Sequence, residues 1–265
     1  MTPSQLFDLT GRVGVVSGAA SGMGRAMATA LAHAGADLLL VDLNLEGVQR
    51  SAAEIGTASG RRMVPVVCNV SDPESIRSMF ATLDREWGRI DFLGNVAGEG
   101  ILGNPATISL EDVERTWRNL VYGRFCCCQE AGRRMLKAGR GSIVNIGSLA
   151  SLTGMGRGHI AYSMAMGAVA QMTRELSTEW ASHGVRVNAI LPAQVVNPSL
   201  EKRMAADPSL QPRYLSGIPA SRLGSPSDIQ GLSVFLASDA SSWITGALIP
   251  MDGGNLAMNA GGTIG

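Results

Sequence analysis

A glycine-rich segment between an apolar run and a helix-like run constrains this chain more than any other feature. Residues 17–24 read SGAASGMG; they follow the strand-like run at 12–16 and precede the helix-like run at 25–31. Glycines in such a turn let the backbone bend sharply and approach a pyrophosphate, whose charge is then stabilised at the N-terminus of the helix. We therefore expect the segment to bind a dinucleotide, through Gly18, Ser21, Gly22, Met23 and Gly24.

An acidic residue at the end of the next predicted strand supports this interpretation. The loop alone is a weak signal, because its glycines are spaced more widely than in the commonest G-x-G-x-x-G form. Residues 37–42, DLLLVD, are typical of a buried strand and end in Asp42, next to Leu43. A carboxylate there accepts both ribose hydroxyls of NAD and repels the additional phosphate of NADP. We predict NAD as the cofactor; the alternative is a strand–turn–helix unit whose glycines serve only close packing.

Length and composition favour one large α/β domain over residues 1–265. Hydrophobic residues make up 45% of the chain and charged residues 17%, which suits a buried sheet and argues against disorder. The formal net charge is zero, without a basic cluster, so nucleic acid is not an expected partner. The first residues lack a signal-peptide pattern, and no apolar run approaches membrane-spanning length. We expect a cytoplasmic protein without a membrane partner.

The cysteines form neither a metal-binding nor a disulfide pattern. Cys126, Cys127 and Cys128 are adjacent, and Cys68 lies far away in the sequence. Neighbouring residues on a helix point in different directions, so their spacing suits neither a metal site nor a disulfide framework. We interpret them as small core residues of a reduced protein and expect no bound metal.

Strand-like and helix-like segments alternate to the end of the chain, which predicts a doubly wound, Rossmann-type parallel sheet of about seven strands flanked by helices. The apolar runs do not alternate with polar residues, as is typical of strands covered on both faces. The predicted strands are 12–18, 37–42, 63–69, 90–96, 141–147, 185–191 and 246–251. The predicted helices are 22–34, 44–55, 73–87, 109–137, 160–183 and 226–238.

One connection is unusually long. Residues 193–225 carry four prolines between a predicted strand and a predicted helix: Pro198, Pro208, Pro212 and Pro219. Connections of this length in a compact domain are usually functional. We predict a substrate lid within the domain; an ordinary surface excursion is the alternative.

Further motifs, in order along the chain, resemble the short-chain dehydrogenase/reductase family in its common branch. The resemblance covers nearly the whole chain; besides 17–24 it rests on residues 69–72 (NVSD), 95–98 (NVAG), 142–148 (SIVNIGS), 191–197 (LPAQVVN), 222–226 (RLGSP) and 252–254 (DGG). It implies cofactor contacts at Asn69, Val70, Asn95, Ala97, Gly98, Pro192, Val195 and Asn197. Ala193 stands where the family has glycine, and Asn197 where it usually has threonine.

The resemblance also implies a reaction: hydride transfer between a nicotinamide and a carbinol or carbonyl carbon of a small substrate. The family uses an asparagine, a serine, a tyrosine and a lysine. The tyrosine, which also touches the cofactor, exchanges a proton with the substrate oxygen, and the serine hydrogen-bonds that oxygen. The lysine favours the ionised tyrosine and holds the nicotinamide ribose, and the asparagine holds a water. Ser148 and Tyr162 match the serine and the tyrosine, with one residue more than usual between them.

Two members of the tetrad are missing. Met166 occupies the lysine position of the Tyr-x-x-x-Lys motif, and no lysine lies between Lys137 and Lys202. Alignment without gaps puts Leu120 at the asparagine position. Asn119 is one residue away, which turns it by about 100° around an α-helix. A π-bulge would bring it back, although the sequence does not require one.

The missing lysine affects the two reaction directions unequally. A tyrosine in water is ionised only to about a thousandth at neutral pH, and a thioether cannot favour the ionised form. The lost activation is worth about 4 kcal/mol, or about a thousandfold in rate. Oxidation of an alcohol needs the phenolate, whereas reduction of a carbonyl uses the phenol. We therefore expect Met166→Lys to raise turnover in an active enzyme.

Three nearby residues are candidates for compensating groups. An imidazole exchanges protons near neutral pH, so His159, three residues before Tyr162, is a candidate relay. Glu99 follows the NVAG strand end and is a candidate acid–base or substrate-binding group, and Arg157 is a candidate site for an anionic substrate. Ordinary surface or structural roles remain the alternative for each of them.

These observations leave several functions open. The first is an NAD-dependent oxidoreductase of small alcohols or carbonyl compounds with an incomplete tetrad. The second is an NAD-binding pseudoenzyme, which serves as a sensor or partner subunit. A non-redox lyase similar to the halohydrin dehalogenases is a third, although those carry arginine at the lysine position and lack the glycine loop. A deliberately inactivated active site would leave the same pattern.

The resemblance finally implies a homotetramer in which two long central helices pair between subunits. The predicted helices at 109–137 and 160–183 are rich in Ala, Met and Cys, which suits such an interface. An apolar helix face would otherwise be exposed to water.

Overall fold

Seven strands, all paired in parallel, form the central sheet of the computed structural model, which describes residues 2–258. In chain order they are β1 (Val13–Ser17), β2 (Asp37–Asp42), β3 (Met63–Val67), β4 (Phe92–Asn95), β5 (Gly141–Ile146), β6 (Val185–Pro192) and β7 (Leu248–Met251). Across the sheet the order is β3-β2-β1-β4-β5-β6-β7. The predicted doubly wound sheet is confirmed. Of the predicted domain over 1–265, residues 1 and 259–265 lie outside the described range.

The strand order determines where a ligand can bind. The chain leaves β1, adds β2 and β3 on one side, and then returns to place β4 on the other side of β1. Open α/β sheets bind ligands at such a reversal, beyond the carboxyl ends of the strands. The glycine loop follows β1 directly and therefore lies at this point.

Helices cover both faces of the sheet. They are α1 (Pro3–Leu6), α2 (Gly22–His33), α3 (Leu45–Ser59), α4 (Pro73–Glu86), α5 (Leu110–Trp117), a π-helix (Arg118–Tyr122), α6 (Gly123–Ala138), α7 (Ile160–Trp180), α8 (Pro198–Ala206), α9 (Leu210–Leu215) and α10 (Gln230–Ala237). Short 3₁₀ helices cover Leu149–Ser151, Ala181–His183, Pro226–Ile229 and Asp239–Ser241. The predicted helices are present, but four differ in detail. The one predicted at 109–137 is interrupted by the π-helix, the one at 226–238 begins as a 3₁₀ turn, the one at 160–183 ends as one, and the one at 44–55 continues to Ser59.

Burial of both sheet faces explains why the strand sequences are apolar without alternation. Successive residues of a strand point to opposite faces. Val15 packs against the layer that contains Phe80 of α4 and Cys128 of α6, whereas Val16 packs against the layer that contains Met27 of α2. Both positions must therefore be apolar, as is typical of parallel sheets.

The cysteines are core residues, as predicted. Cys68, Cys127 and Cys128 are buried, Cys126 is half-buried, and all four are free thiols. Burial raises the pKa of Cys128 to about 12, against the smaller opposing effect of a hydrogen bond with Asn145. The pKa of Cys127 is raised for the same reason. These thiols remain protonated and unreactive at neutral pH.

Within the described range, no helix has the length and apolar character needed to cross a membrane.

A buried polar network connects the two strands that carry the site. The Asn95 amide of β4 donates to the Asn145 side-chain oxygen of β5 at 3.0 Å and to the Cys128 sulfur at 3.3 Å. The Asn145 amide in turn donates to the Thr173 hydroxyl of α7 at 3.0 Å. The network therefore fixes β4, β5 and α7 relative to one another.

We expect Asn145→Leu to lower the free energy of unfolding by about 1–3 kcal/mol, because it leaves part of the buried Asn95 amide without a partner. Urea denaturation followed by circular dichroism measures the change. Gln49→Leu, the same exchange of an amide for an apolar side chain at an exposed position, is the control and should change stability by less than about 0.5 kcal/mol. Equal effects of the two substitutions would contradict the structural role of the network.

Candidate active site

The glycine loop turns directly from β1 into α2. Gly18 and Gly22 have positive φ angles of 70° and 55°, which favour glycine. A Cβ atom on Gly24 would lie 2.2 Å from the carbonyl oxygen of Gly18, so a side chain there would push the first turn of α2 away from the loop. Ser21 immediately precedes α2, and its side chain makes no capping hydrogen bond. The first turn of α2 can therefore present its backbone N–H groups to an anion.

Asp42 lies at the end of β2, beside this loop. One carboxylate oxygen accepts a hydrogen bond from the Ala20 backbone N–H at 3.0 Å, and the other accepts one from the Asn44 N–H at 3.0 Å. Both bonds fix the carboxylate and leave lone pairs for further donors. Leu43, the next residue, is exposed.

The remaining predicted cofactor residues follow β3 and β4. Asn69 is exposed, and its side-chain oxygen accepts from the Ser71 N–H at 2.9 Å, whereas Val70 is buried. The Ala97 N–H donates to the Ser17 hydroxyl at 3.1 Å, which holds the end of β4 next to the glycine loop. The Asn95 side chain belongs to the buried network and does not reach the ligand edge, so only its backbone remains for a cofactor contact.

Two adjoining cavities lie at the carboxyl ends of the strands. The inner cavity, of about 450 Å³, is lined by Ser21, Met23, Val96, Gly98, Glu99, Leu120, Arg124, Ile146, Gly147, Ser148, Tyr162, Met166, Pro192, Ala193, Val195, Asn197, Pro198 and Ser199. The outer cavity, of about 380 Å³, is lined by Gly98, Glu99, Gly100, Leu102, Ser148, Met155, Arg157, His159, Tyr162, Pro192, Ala193, Gln194, Val195, Asn197, Ser199, Leu200, Arg203 and Tyr214. The inner cavity begins at the glycine loop, and the outer cavity extends under α8 and α9.

Ser148 and Tyr162 lie where the two cavities meet. Ser148 follows β5, and its hydroxyl oxygen accepts a hydrogen bond from the Ala150 N–H at 3.2 Å. The Ser148 hydrogen is therefore free to point to a ligand oxygen. Tyr162 lies in the first turn of α7, where its ring packs against Gly100 so closely that a Cβ there would lie 2.6 Å from Cδ2. Packing thus fixes the direction of the phenol.

The two departures from the tetrad belong to one apolar cluster. Met166 and Leu120 are both buried and belong to one cluster with Ala150, Ala165 and Val169. An apolar pair therefore occupies the place where the resemblance implies a lysine and an asparagine. The π-helix redirects Asn119 to the end of β4, where its side-chain oxygen accepts from the Glu99 N–H at 3.1 Å and its amide donates to the Ser71 hydroxyl at 3.0 Å.

Of the three candidate compensating groups, His159 is nearest to Tyr162. Its ring meets the Tyr162 ring edge-on, with centroids 6.1 Å apart. Its Nδ1 lies 2.9 Å from the Gly156 carbonyl oxygen and 3.1 Å from that of Arg157, so Nδ1 carries the hydrogen. Glu99 is exposed, and the Arg157 guanidinium lies over the Tyr214 ring at 5.2 Å.

Sequence reasoning missed two residues of the site. Arg124 of α6 is only 4% exposed, lines the inner cavity and donates hydrogen bonds to the carbonyl oxygens of Ile146 and Ala97. Gln194 lines the outer cavity, and its buried side-chain oxygen has no hydrogen-bond partner among residues 2–258. The sequence offered one signal, and it concerned Arg124. This arginine stands between Gly123 and Phe125, on a helix face whose neighbouring residues are buried. In the described part of the chain, no group of three acidic, histidine or cysteine side chains is placed to hold a metal.

Comparisons with known proteins relate the sequence and the fold to dehydrogenases. The family model described as Enoyl-(Acyl carrier protein) reductase matches residues 18–255. The D-threitol dehydrogenase of Mycolicibacterium smegmatis is 39% identical over 94% of this chain and 94% of its own length. The L-tagatose-forming galactitol 2-dehydrogenase of Cereibacter sphaeroides is 37% identical, covering 94% of this chain and 96% of its own. The crystal structure of a gluconate 5-dehydrogenase from Burkholderia cenocepacia, in complex with NADP and tartrate, is 27% identical, with a TM-score of 0.90 over 97% of this chain and 99% of that one.

We expect Gly24→Ala to lower the affinity for NADH at least about tenfold and the free energy of unfolding by about 1–3 kcal/mol, because the new methyl group collides with the loop backbone. Fluorescence titration and urea denaturation measure these changes. Gly231→Ala is the matched control, because a Cβ there meets no atom within 4 Å; it should keep NADH affinity and stabilise α10 slightly. Unchanged NADH affinity in Gly24→Ala would contradict the assigned binding loop.

Proposed function

The chain belongs to the short-chain dehydrogenase/reductase family, and on that basis we propose that it is an NAD-dependent dehydrogenase of small polyols. The reaction transfers hydride between the nicotinamide ring and a carbinol carbon. The observation that carries this proposal is that Ser148 and Tyr162 line both the inner and the outer cavity. A substrate oxygen at this junction can touch both side chains while its carbon faces the inner cavity.

In this proposal the dinucleotide extends from the glycine loop into the inner cavity. The proposed cofactor set is Gly18, Ser21, Gly22, Met23, Gly24, Asp42, Leu43, Asn69, Val70, Asn95, Ala97, Gly98, Tyr162, Pro192, Val195 and Asn197. The open space at Gly22, where a Cβ would meet no atom within 4 Å, supports it, because a pyrophosphate needs backbone without a side chain at this point. When bound, the nicotinamide donates or accepts the hydride. The chain's own residues orient it and hold the substrate oxygen.

Asp42 is the reason for proposing NAD rather than NADP. Its carboxylate, fixed by Ala20 and Asn44, can accept the ribose hydroxyls, and its charge opposes a phosphate at the same place. The related gluconate 5-dehydrogenase was crystallised with NADP, so relatives differ in this preference.

A polyol suits the polar lining of the outer cavity. Gln194 lines this cavity and contributes an amide side chain to it. Glu99, His159 and Arg203 supply further polar groups around the same space. Two of the relatives are named for the polyols D-threitol and galactitol.

The proposed chemistry uses the two side chains in different ways. Ser148 donates its free hydrogen to the substrate oxygen. Tyr162 gives a proton to that oxygen when a carbonyl is reduced and takes one when an alcohol is oxidised. Both groups are positioned before substrate arrives, by the Ala150 N–H and by packing on Gly100.

Residues 193–225 are the proposed lid. They contain α8 and α9, and Leu200, Arg203 and Tyr214 of these helices line the outer cavity. Asn197 caps the start of α8 by accepting from the Leu200 N–H at 2.9 Å. Asn197 thus caps α8 from the position where the family usually has threonine, near the start of the proposed lid.

The second candidate is a protein that binds NAD without redox turnover. The apolar cluster that contains Met166 and Leu120 favours it, because apolar residues stand at two polar positions of the tetrad. Titration with NADH and NADPH, followed by absorbance assays with D-threitol and galactitol, separates the two candidates. Tight NADH binding without turnover would favour the second, and no binding of either nucleotide would refute both.

We expect Tyr162→Phe to lower kcat/KM at least about 100-fold in these assays, because it removes the proton-transfer group but keeps the ring. NADH should bind more tightly than NADPH to both proteins. Tyr122→Phe, at an exposed position on the π-helix, is the matched control and should leave kcat/KM within about twofold. Full activity of Tyr162→Phe would overturn the assignment.

We also propose a homotetramer. Apolar side chains remain exposed on the two long helical segments, namely Leu110, Tyr122, Phe125 and Met164, and Trp243 is 99% exposed on the loop before β7. Cys127 and Cys128 are buried within the subunit. They therefore do not contribute to this surface, although the cysteine content of the helix predicted at 109–137 had suggested that they would. Light scattering should give four times the subunit mass of 27.6 kDa; a monomer would contradict the proposal.

A further inference from the structure

The Arg124 guanidinium is a buried charge at the wall of the inner cavity. It extends from α6 to the gap between the ends of β4 and β5, where it donates to the backbone carbonyl oxygens of Ile146 and, at 3.4 Å, of Ala97. The terminal nitrogen that reaches Ala97 would lie 3.6 Å from a Cβ atom on Gly98. Gly98 and Arg124 both line the inner cavity. The backbone of the two strand ends thus fixes a cation at this cavity.

This charge has no partner of opposite sign. No carboxylate of residues 2–258 forms an ion pair with Arg124, and its Nε is buried without a hydrogen-bond partner in the same range. Burial lowers the pKa of the guanidinium, because it removes the charge from water, but an arginine remains protonated at neutral pH. Buried charges are normally paired, since desolvation costs several kcal/mol. The carbonyl oxygens therefore hold this cation without neutralising it.

The surroundings of Arg124 do little to weaken its electric field. Leu120, four residues before it, and Met166 are apolar, belong to one buried cluster and line the same cavity. Of the described residues that line this cavity, Glu99 alone carries another formal charge, and it is exposed. Water and salt screen an exposed charge much more than a buried one. The potential in the inner cavity is therefore positive, and Arg124 is its source.

We propose that Arg124 makes the inner cavity selective for the reduced dinucleotide, NADH, over NAD⁺. The inference deepens the proposed function and rests on its placement of the dinucleotide in this cavity. The two dinucleotides differ in charge only at the nicotinamide ring, which is cationic in NAD⁺ and neutral in NADH. A fixed cation in a cavity of low dielectric constant repels the first ring and not the second. Arg124 is thus a specificity-determining residue for the oxidation state of the cofactor.

This selectivity has a consequence for both candidate functions. In a dehydrogenase, tighter binding of NADH shifts the equilibrium between the bound dinucleotides toward NADH by the ratio of the two affinities. In a protein without redox turnover, the same ratio makes occupancy of the site depend on how much of the dinucleotide pool is reduced. The proposal therefore concerns binding alone and holds for either candidate.

The test compares the dissociation constants of NAD⁺ and NADH for the same protein. NADH is titrated by its fluorescence, and NAD⁺ by displacement of bound NADH. Contacts that the two dinucleotides share cancel in the ratio Kd(NAD⁺)/Kd(NADH), so the ratio isolates the effect of the ring charge. In Arg124→Gln this ratio should fall at least about fivefold, because glutamine keeps an N–H donor for the carbonyl oxygens but loses the charge. An unchanged ratio in folded Arg124→Gln would overturn the proposal.

Two further variants separate charge from structure. Arg124→Lys keeps the charge and should leave the ratio within about twofold of the unmodified protein; a fall as large as that in Arg124→Gln would exclude charge as the cause. Arg186→Gln removes another arginine that donates to backbone carbonyl oxygens, those of Leu236 and Ser238. Arg186 lies near the start of β6, away from the carboxyl ends of the strands. Its loss should also leave the ratio within about twofold, and an equal fall there would contradict the assignment to Arg124.

The unmodified protein provides a measurement that does not depend on the folding of any variant. It should bind NADH more tightly than NAD⁺, and the ratio should change by less than about twofold between about 50 and about 500 mM NaCl, because a buried charge is screened little. A ratio of one or below, or a ratio that salt abolishes, would refute the role of the buried cation. Failure of both dinucleotides to bind would refute the proposed function and this inference together. Binding of both, with an unchanged ratio in Arg124→Gln, would count against the inference alone.

Discussion

The buried pair of Asn95 and Asn145 is the contact on which the geometry of the site depends. These amides join β4 to β5, and Asn145 continues to Thr173 of α7. Ser148 follows β5, the strand that carries Asn145, and Tyr162 lies in the first turn of α7, the helix that carries Thr173. Polar networks inside a protein specify one arrangement, because any slip of register would leave an amide unsatisfied. The relative position of the serine and the tyrosine is thus determined a few residues below the cavity, in the core.

Charge at the site is arranged differently from the pattern that the sequence motifs imply. The residues at the lysine and asparagine positions, Met166 and Leu120, are apolar and lie in one buried cluster. At the same time the buried guanidinium of Arg124, from α6, lines the same inner cavity as Tyr162 and is held by backbone carbonyl oxygens. The chain has therefore not simply lost a cation, and it is not equivalent to a family member with one lysine removed.

Sequence reasoning was sufficient for the fold and for the outline of the site. Strands buried on both faces are recognisable as apolar runs such as Asp37–Asp42. The glycine loop is recognisable because its positive φ angles, at Gly18 and Gly22, favour glycine. The contribution of Arg124 could not be predicted, because it depends on a side chain from α6 crossing to strand ends that are distant in sequence. The sequence left a π-bulge beside Asn119 open without requiring it. The structure has a π-helix there, and the hydrogen bonds of Asn119 to Glu99 and Ser71 that accompany it are tertiary contacts. Local periodicity contains no information about such contacts.

The loop before α7 and the segment above the outer cavity are physically joined. Arg157 has a φ of 55°, unusual for a residue other than glycine, and its guanidinium rests on the Tyr214 ring of α9. The same loop continues through His159 into the helix turn that carries Tyr162. A displacement of α9 would therefore act on the backbone two residues before His159, so any movement of the proposed lid would also change the orientation of the Tyr162 phenol.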